Sequence, residues 1–158
     1  AGSVALSEGR AYFGHYGNAF VCIDLERSEL AWEYSGGRQP FFSSPAIGAD
    51  RVVFGGRDKR LHCVRRSDGA PLWTFPTGRK VDGSPVICGD RVVFGSADGR
   101  LYLLDLASGE ALWSHDLGDS IFTSPAVVGD TFLVGCNDGS VYAFGPETQA
   151  TDPSGAPR

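Results

Sequence analysis

Four cysteines, three histidines and a set of Asp-Gly pairs are the residues of this 158-residue chain whose types could do chemistry. A structural metal site asks for thiolate or imidazole ligands in pairs two to four residues apart. Cys22, Cys63, Cys88 and Cys136 include no such pair. Cys22 and Cys63 hold the same place in successive copies of a repeat, too far apart for a disulfide, which reaches about 7 Å between Cα atoms. They read as core thiols. Asp98 and Asp138 could ligate a cation, but each precedes a glycine, and Asp-Gly is first a tight-turn signal because it supplies positive φ angles. His62 and His115 fall within strand patterns, and only His15 sits at a turn. Without a serine or cysteine nucleophile whose spacing to a histidine can be argued, nothing supports a catalytic triad. The predicted catalytic and metal sets are therefore empty, and binding is the chemistry left to seek.

The elements that would position a binding site are written as a repeat. Trp32, Trp73 and Trp113 stand 41 and 40 residues apart, and the residues around them recur with them. In register, SVALSEGRAYFGHYGNAFVCIDLERSELAW (3–32), SPAIGADRVVFGGRDKRLHCVRRSDGAPLW (44–73) and SPVICGDRVVFGSADGRLYLLDLASGEALW (84–113) are followed by the shorter SPAVVGDTFLVGCNDGSVYAFG (124–145). A unit of about 40 residues made of short strands points to all-β blades of a propeller, since a helical repeat would show apolar residues at three-to-four spacing. The third unit resolves into strand A (Ser84–Cys88), B (Arg91–Ser96), C (Arg100–Asp105) and D (Glu110–His115), with Gly-Asp, Asp-Gly and Ser-Gly turns between them. Val52-Val53-Phe54 and Val92-Val93-Phe94 are apolar on both faces, so these strands must be covered on both sides. Packing blade on blade does this. The blades are expected at about 3–37, 44–78, 84–118 and 124–145, the last without its outer strand.

Composition narrows the partners. With 42% hydrophobic residues, 22 Gly and 9 Pro, the chain suits a turn-rich β protein. A net charge of −5 argues against a general nucleic-acid binder, and no apolar run is long enough to span a membrane as a helix. Residues 1–80 hold 11 Lys/Arg against 8 Asp/Glu, while 81–158 hold 3 against 11. The absence of Met suggests that a leader or longer N-terminal part precedes this segment.

The stretch LYLLDLASGEALW (101–113) resembles the tryptophan-docking motif of the pyrroloquinoline-quinone-type propeller repeat. FVCIDLERSELAW (20–32) and LHCVRRSDGAPLW (61–73) are weaker copies, with Ser28 and Arg65 where the motif has Gly and Asp. The resemblance implies that Trp32, Trp73 and Trp113 dock each blade on its neighbour, and that the chain is about half of an eight-bladed propeller. It also implies two functional groups. One is the quinoprotein dehydrogenases, which hold the quinone beside calcium in the channel, commonly against a ring closed by adjacent cysteines. The other is non-catalytic propellers: the scaffold of barrel assembly, exported to the periplasm, and the sensory propellers of larger receptors or kinases. This sequence has no adjacent cysteine pair, and its three Trp are all taken by docking positions. A protein-binding scaffold without a cofactor is the favoured reading; a fragment of a quinone- and calcium-dependent dehydrogenase and the sensory propeller of a larger receptor or kinase are the alternatives.

In this topology the B-to-C turns and D-to-A loops emerge at one end, around the mouth of the channel. The candidate binding residues there are His15, Tyr16, Asn18, Arg57, Asp58, Lys59 and Asn137 from the turns, with Arg38, Gln39, Phe41, Phe42, Arg79, Lys80, Asp82, Asp119 and Phe122 from the loops. Arg and aromatic side chains on a rigid scaffold are favoured interface anchors. Two further expectations follow. Residues 146–158 lack apolar periodicity and should not join the fold. The ring should be completed by an N-terminal half or by a second copy of the chain, because a bare blade face of ~400 Å² at ~25 cal/mol per Å² forfeits on the order of 10 kcal/mol.

Overall fold

The computed structural model describes residues 2–36 and 39–145. Every described element is a strand, and the strands form four antiparallel sheets in chain order. Blade 1 comprises β1 (Ala5–Ser7), β2 (Arg10–Gly14), β3 (Phe20–Asp24) and β4 (Glu29–Tyr34). Blade 2 comprises β5 (Ala46–Ile47), β6 (Arg51–Gly56), β7 (Arg60–Arg65) and β8 (Pro71–Pro76). Blade 3 comprises β9 (Val86–Cys88), β10 (Arg91–Gly95), β11 (Arg100–Asp105) and β12 (Ala111–Asp116). Blade 4 has three strands, β13 (Ala126–Val128), β14 (Thr131–Gly135) and β15 (Val141–Phe144).

Strand A of blade 3 begins two residues later than expected, because Ser84 does not join the ladder but links blades. Its N–H donates to Ser124 Oγ at 3.0 Å, as Ser44 N–H does to Ser84 Oγ at 2.9 Å and Ser3 N–H to Ser44 Oγ at 2.7 Å. Strand D runs one residue later than expected, and its register against β11 shifts at a bulge between Leu103 and Leu104, an irregularity repeated at Cys22/Ile23 and Cys63/Val64. A bulge lets two residues oppose one, which neither periodicity nor turn residues reveal.

The core lies between blades, because both faces of every B and C strand are apolar. Tyr12, Phe20 and Cys22 of blade 1 pack on Val52, Phe54 and Val64 of blade 2, with Phe20 and Phe54 stacked at 3.8 Å. Val53, Leu61 and Cys63 then meet Val92, Phe94, Tyr102 and Leu104 of blade 3, and Val93 and Leu101 meet Val134 and Phe132 of blade 4. Burial pushes the Cys63 thiol up to about 12, so it stays protonated in this seam. Among the described residues no hydrogen bond and no apolar cluster joins blade 4 to blade 1, and the blades form an open arc.

The first two seams are also latched at their outer edge. The Trp32 indole N–H donates to the Arg66 carbonyl of blade 2, and Trp73 to the Leu106 carbonyl of blade 3, both at 3.0 Å. The rings lie flat against the next corner: a Cβ on Gly69 would come within 2.5 Å of Trp32, and one on Gly109 within 2.5 Å of Trp73. Both glycines also hold positive φ, 73° and 75°. Ser28 fills the same corner of blade 1 at φ 54°, so the corner keeps its shape with serine in place of glycine. Trp113 is half-buried. Its ring packs against Phe132 and Phe144 of blade 4, and the position equivalent to Leu106 is Pro146, outside the described residues.

Candidate functional site

The B-to-C turns and D-to-A loops are tied together at one end of the arc. Arg57 N–H donates to the Pro40 carbonyl at 3.2 Å, and Ala97 and Asn137 N–H donate to the Lys80 and Ser120 carbonyls at 3.0 Å. Every loop is thereby fastened to the turn of the following blade. Side chains on this end are presented by a scaffold with little freedom, which lowers the entropy lost on binding.

Six candidate residues form one continuous run across this end. The exposed Tyr16 ring meets Phe42 edge-on at 4.8 Å. Above Phe42 lies the Arg57 guanidinium, 4.1 Å from the ring centre. Arg57 forks onto both oxygens of Asp82 at 3.0 and 3.2 Å, and Lys80 Nζ reaches Asp82 at 2.7 Å. Lys80 in turn lies 5.1 Å from the centre of Phe122, which is 41% exposed. Burial pushes the Asp82 carboxyl up, but the hydrogen bonds from Lys80 and Arg57 outweigh it and hold it below the usual carboxylate range. One carboxylate serving two cations leaves the run with a net positive charge, flanked by the exposed Lys59 and Arg79.

The other candidates do different work. Phe41 is a correction: it is 1% exposed, wedged between Phe20, Tyr34 and Phe54, and cannot contact a ligand. The D-to-A loop turns its first aromatic into the seam, where Val81 and Ile121 stand in the following loops, also buried. His15 Nδ1 accepts the Gly17 N–H at 2.9 Å and holds its own turn, while Asn18 and Lys59 occupy left-handed turn positions. Asp119 caps the N–H of Ser120, and Asn137 and Gln39 are exposed outside the run. Arg38 lies outside the described residues.

Asp58 belongs to a buried chain rather than to the surface. His62, 1% exposed, bonds Asp58 through Nε2 at 3.1 Å and Tyr34 Oη through Nδ1 at 3.0 Å. In blades 3 and 4 a tyrosine replaces this histidine and reaches the turn aspartate directly: Tyr102 to Asp98 at 2.8 Å and Tyr142 to Asp138 at 2.6 Å. These contacts brace the Asp-Gly turns. Among the described residues no group of three or more His, Cys, Asp or Glu is placed to hold a metal.

Tyr34 and the Arg57–Asp82–Lys80 bridge were the parts that sequence reasoning missed. The repeat does carry a signal for the latter: the loop position reads Phe42, Asp82, Phe122, and the lone acid marks the cations it must balance.

Several solved structures share this arrangement of strands. BamB from Moraxella catarrhalis superposes with a TM-score of 0.81 at 21% identity over 91% of this chain, which spans 46% of the BamB chain. The computationally designed Ika4 protein gives 0.81 at 19% identity, over 90% of this chain and 88% of its own. A europium-containing methanol dehydrogenase gives 0.63 at 16% identity, over 70% of this chain and 23% of its own. At these identities the likeness concerns the fold, that of about half a propeller. No curated protein sequence matches the chain significantly. The family described as outer membrane protein assembly factor BamB matches residues 34–151, more than half of the chain, and the chain belongs to that family.

Proposed function

We propose that this chain is a non-catalytic propeller module that grips a segment of another polypeptide across the mouth of its channel. The observation that carries this reading is the unbroken run Tyr16, Phe42, Arg57, Asp82, Lys80, Phe122, in which aromatic rings flank a cation–carboxylate–cation bridge. Arg and aromatic side chains on a preorganised surface are the composition of interface anchors, and the surplus of positive charge suits a segment carrying an acidic residue beside an apolar one. Membership of the BamB family supports a scaffold role in protein assembly, with the chain exported to the cell envelope.

A second part of the proposal concerns the outer face of blade 4. Leu133 is 39% exposed and Val141 74%, where the equivalent Val53, Val93, Leu61 and Leu101 are at most 1% exposed. A further blade, from a longer ring or from a second copy, belongs on this face. Light scattering on the 158-residue chain tests it; a cooperatively melting monomer at micromolar concentration overturns it.

The binding role is tested by selecting peptides from a random display library on the full chain. Acidic-aromatic sequences should be enriched, with binding weakened at least about tenfold in Arg57→Gln and Phe122→Ala at unchanged melting temperature. Enrichment that both variants retain would move the site elsewhere. Bound-cofactor absorbance on adding pyrroloquinoline quinone and calcium would instead favour the dehydrogenase reading.

A further inference from the structure

At the opposite end of the first seam, the A-to-B turns of blades 1 and 2 and the C-to-D turn of blade 2 enclose a half-open cleft of about 530 Å³. Four arginines line it: Arg10, Arg51, Arg65 and Arg66. Two of them are consumed by the fold. Arg66 donates to Tyr12 Oη at 3.2 Å and Ser7 Oγ at 2.9 Å and pairs with Glu8 at 3.1 Å. Arg51 forks onto Asp50 at 2.8 Å and caps the Leu106 carbonyl of blade 3 at 2.7 Å. Arg10 and Arg65 are held far less. Arg10 reaches the Ser67 carbonyl only at 3.5 Å, and Arg65 makes one exposed pair with Asp68 at 2.9 Å.

The internal repeat says what should stand at these positions. Position 65 corresponds to Asp24 in blade 1 and Asp105 in blade 3, each of which caps its own corner. Asp24 accepts the N–H groups of Glu26 and Arg27 at 3.0 Å, and Asp105 accepts that of Ser108 at 2.7 Å. Arg51 is the equivalent of Arg10, so the second seam sets an arginine and an aspartate where the first sets two arginines. Blade 2 keeps only the other cap of this corner: Asp68 accepts the Ala70 N–H at 3.0 Å, as Ser108 Oγ accepts that of Glu110 at 3.2 Å in blade 3, and the Arg65 side chain accepts nothing. Replacing the expected acid by Arg puts like charges at one cleft, a cost that a bound anion would reverse. The charge is local: residues 38–78 hold seven Lys/Arg against three Asp/Glu in a chain of net charge −5.

We propose that this cleft binds the oxyanion of a small molecule, a phosphate or a carboxylate, between the guanidinium forks of Arg10 and Arg65. The planar fork matches both anions with two parallel hydrogen bonds, which a lysine at either position would not do. The site lies at the end of the arc away from the mouth run, so a ligand here leaves that surface open.

Calorimetric titration of the full chain at low ionic strength, with inorganic phosphate in one arm and succinate in the other, tests this; low salt matters because exposed charges are screened within about 10 Å at 0.1 M. One saturable site is expected in at least one arm. Phosphate alone, succinate alone or both would each support the site and name its source. Arg65→Asp restores the residue of the neighbouring repeats and Arg10→Gln removes the second fork; each should weaken binding at least about tenfold, as loss of a charge-assisted hydrogen bond predicts. Arg60→Gln, on the same blade but outside the cleft, should bind as the parent does. No saturation in either arm, or parental affinity in both cleft variants, overturns the proposal.

Discussion

The first seam and the outer face of blade 4 are built from the same kinds of residue at the same places in the repeat, yet one is sealed and the other bare. In the seam, Phe20 and Phe54 are 0% exposed and Trp32 is 7%; on the outer face of blade 4, Leu133 and Val141 stand at 39% and 74%. Burial is therefore a property of the neighbour and not of the blade. A blade's own ladders satisfy its backbone, but its apolar faces are stabilised only when another blade covers them.

The largest test of this contrast is truncation on each side. Phe54→Ala opens a cavity against Phe20, Tyr34 and Phe41 and should cost ~3–5 kcal/mol in denaturant unfolding. Leu133→Ala in the isolated chain should cost less than about 1 kcal/mol, within the range of surface substitutions. Similar losses at the two sites would mean that the outer face is covered in solution.

The corners sharpen the comparison. Gly69→Ala adds a methyl 2.5 Å from the Trp32 ring at φ 73° and should cost ~2–4 kcal/mol, combining left-handed strain with overpacking. Ser28→Ala, at the same corner of blade 1, already carries a Cβ there and should stay within about 0.5 kcal/mol. A large loss at Ser28 would show that its hydroxyl holds the corner.

The smallest effect concerns pH. Asp82 is held below its usual range by Lys80 and Arg57 against the opposing pull of burial, so its folded value lies below its unfolded one. Its contribution is full above the unfolded value near ~3.9 and is lost as pH falls through the folded value. Asp82→Asn should lower stability at pH 7 by less than about 1 kcal/mol, since both cations are partly exposed. The gap should close once pH has fallen below the folded value, measured as melting temperature against pH. A gap that persists there would assign the loss to packing.

The fold was legible because a repeat states each rule several times. Apolar runs such as Val92-Val93-Phe94 announced strands covered on both sides, and Asp98-Gly99 announced its turn. The bulges at Leu103/Leu104 and its equivalents were not legible, since a residue that slips in register leaves no mark on alternation. At the loop end, reading the residues named candidates but not which of them meet. Of the neighbours in sequence there, Phe41 turns inward and Phe42 outward, a choice made by the aromatic pocket of Phe20, Tyr34 and Phe54.

Sequence alone determined the repeat, the strands and their order, because local periodicity and turn chemistry decide those within a dozen residues. It also determined the exchange of Asp for Arg65, visible by comparing one unit with the next. Tertiary structure decided which arginines are spent and which face the cleft, that one Asp82 serves two cations, and that Leu133 is left uncovered. Each of these is a relation between blades. Contacts across a seam join residues some 40 positions apart and depend on twist and register, quantities that no single unit encodes.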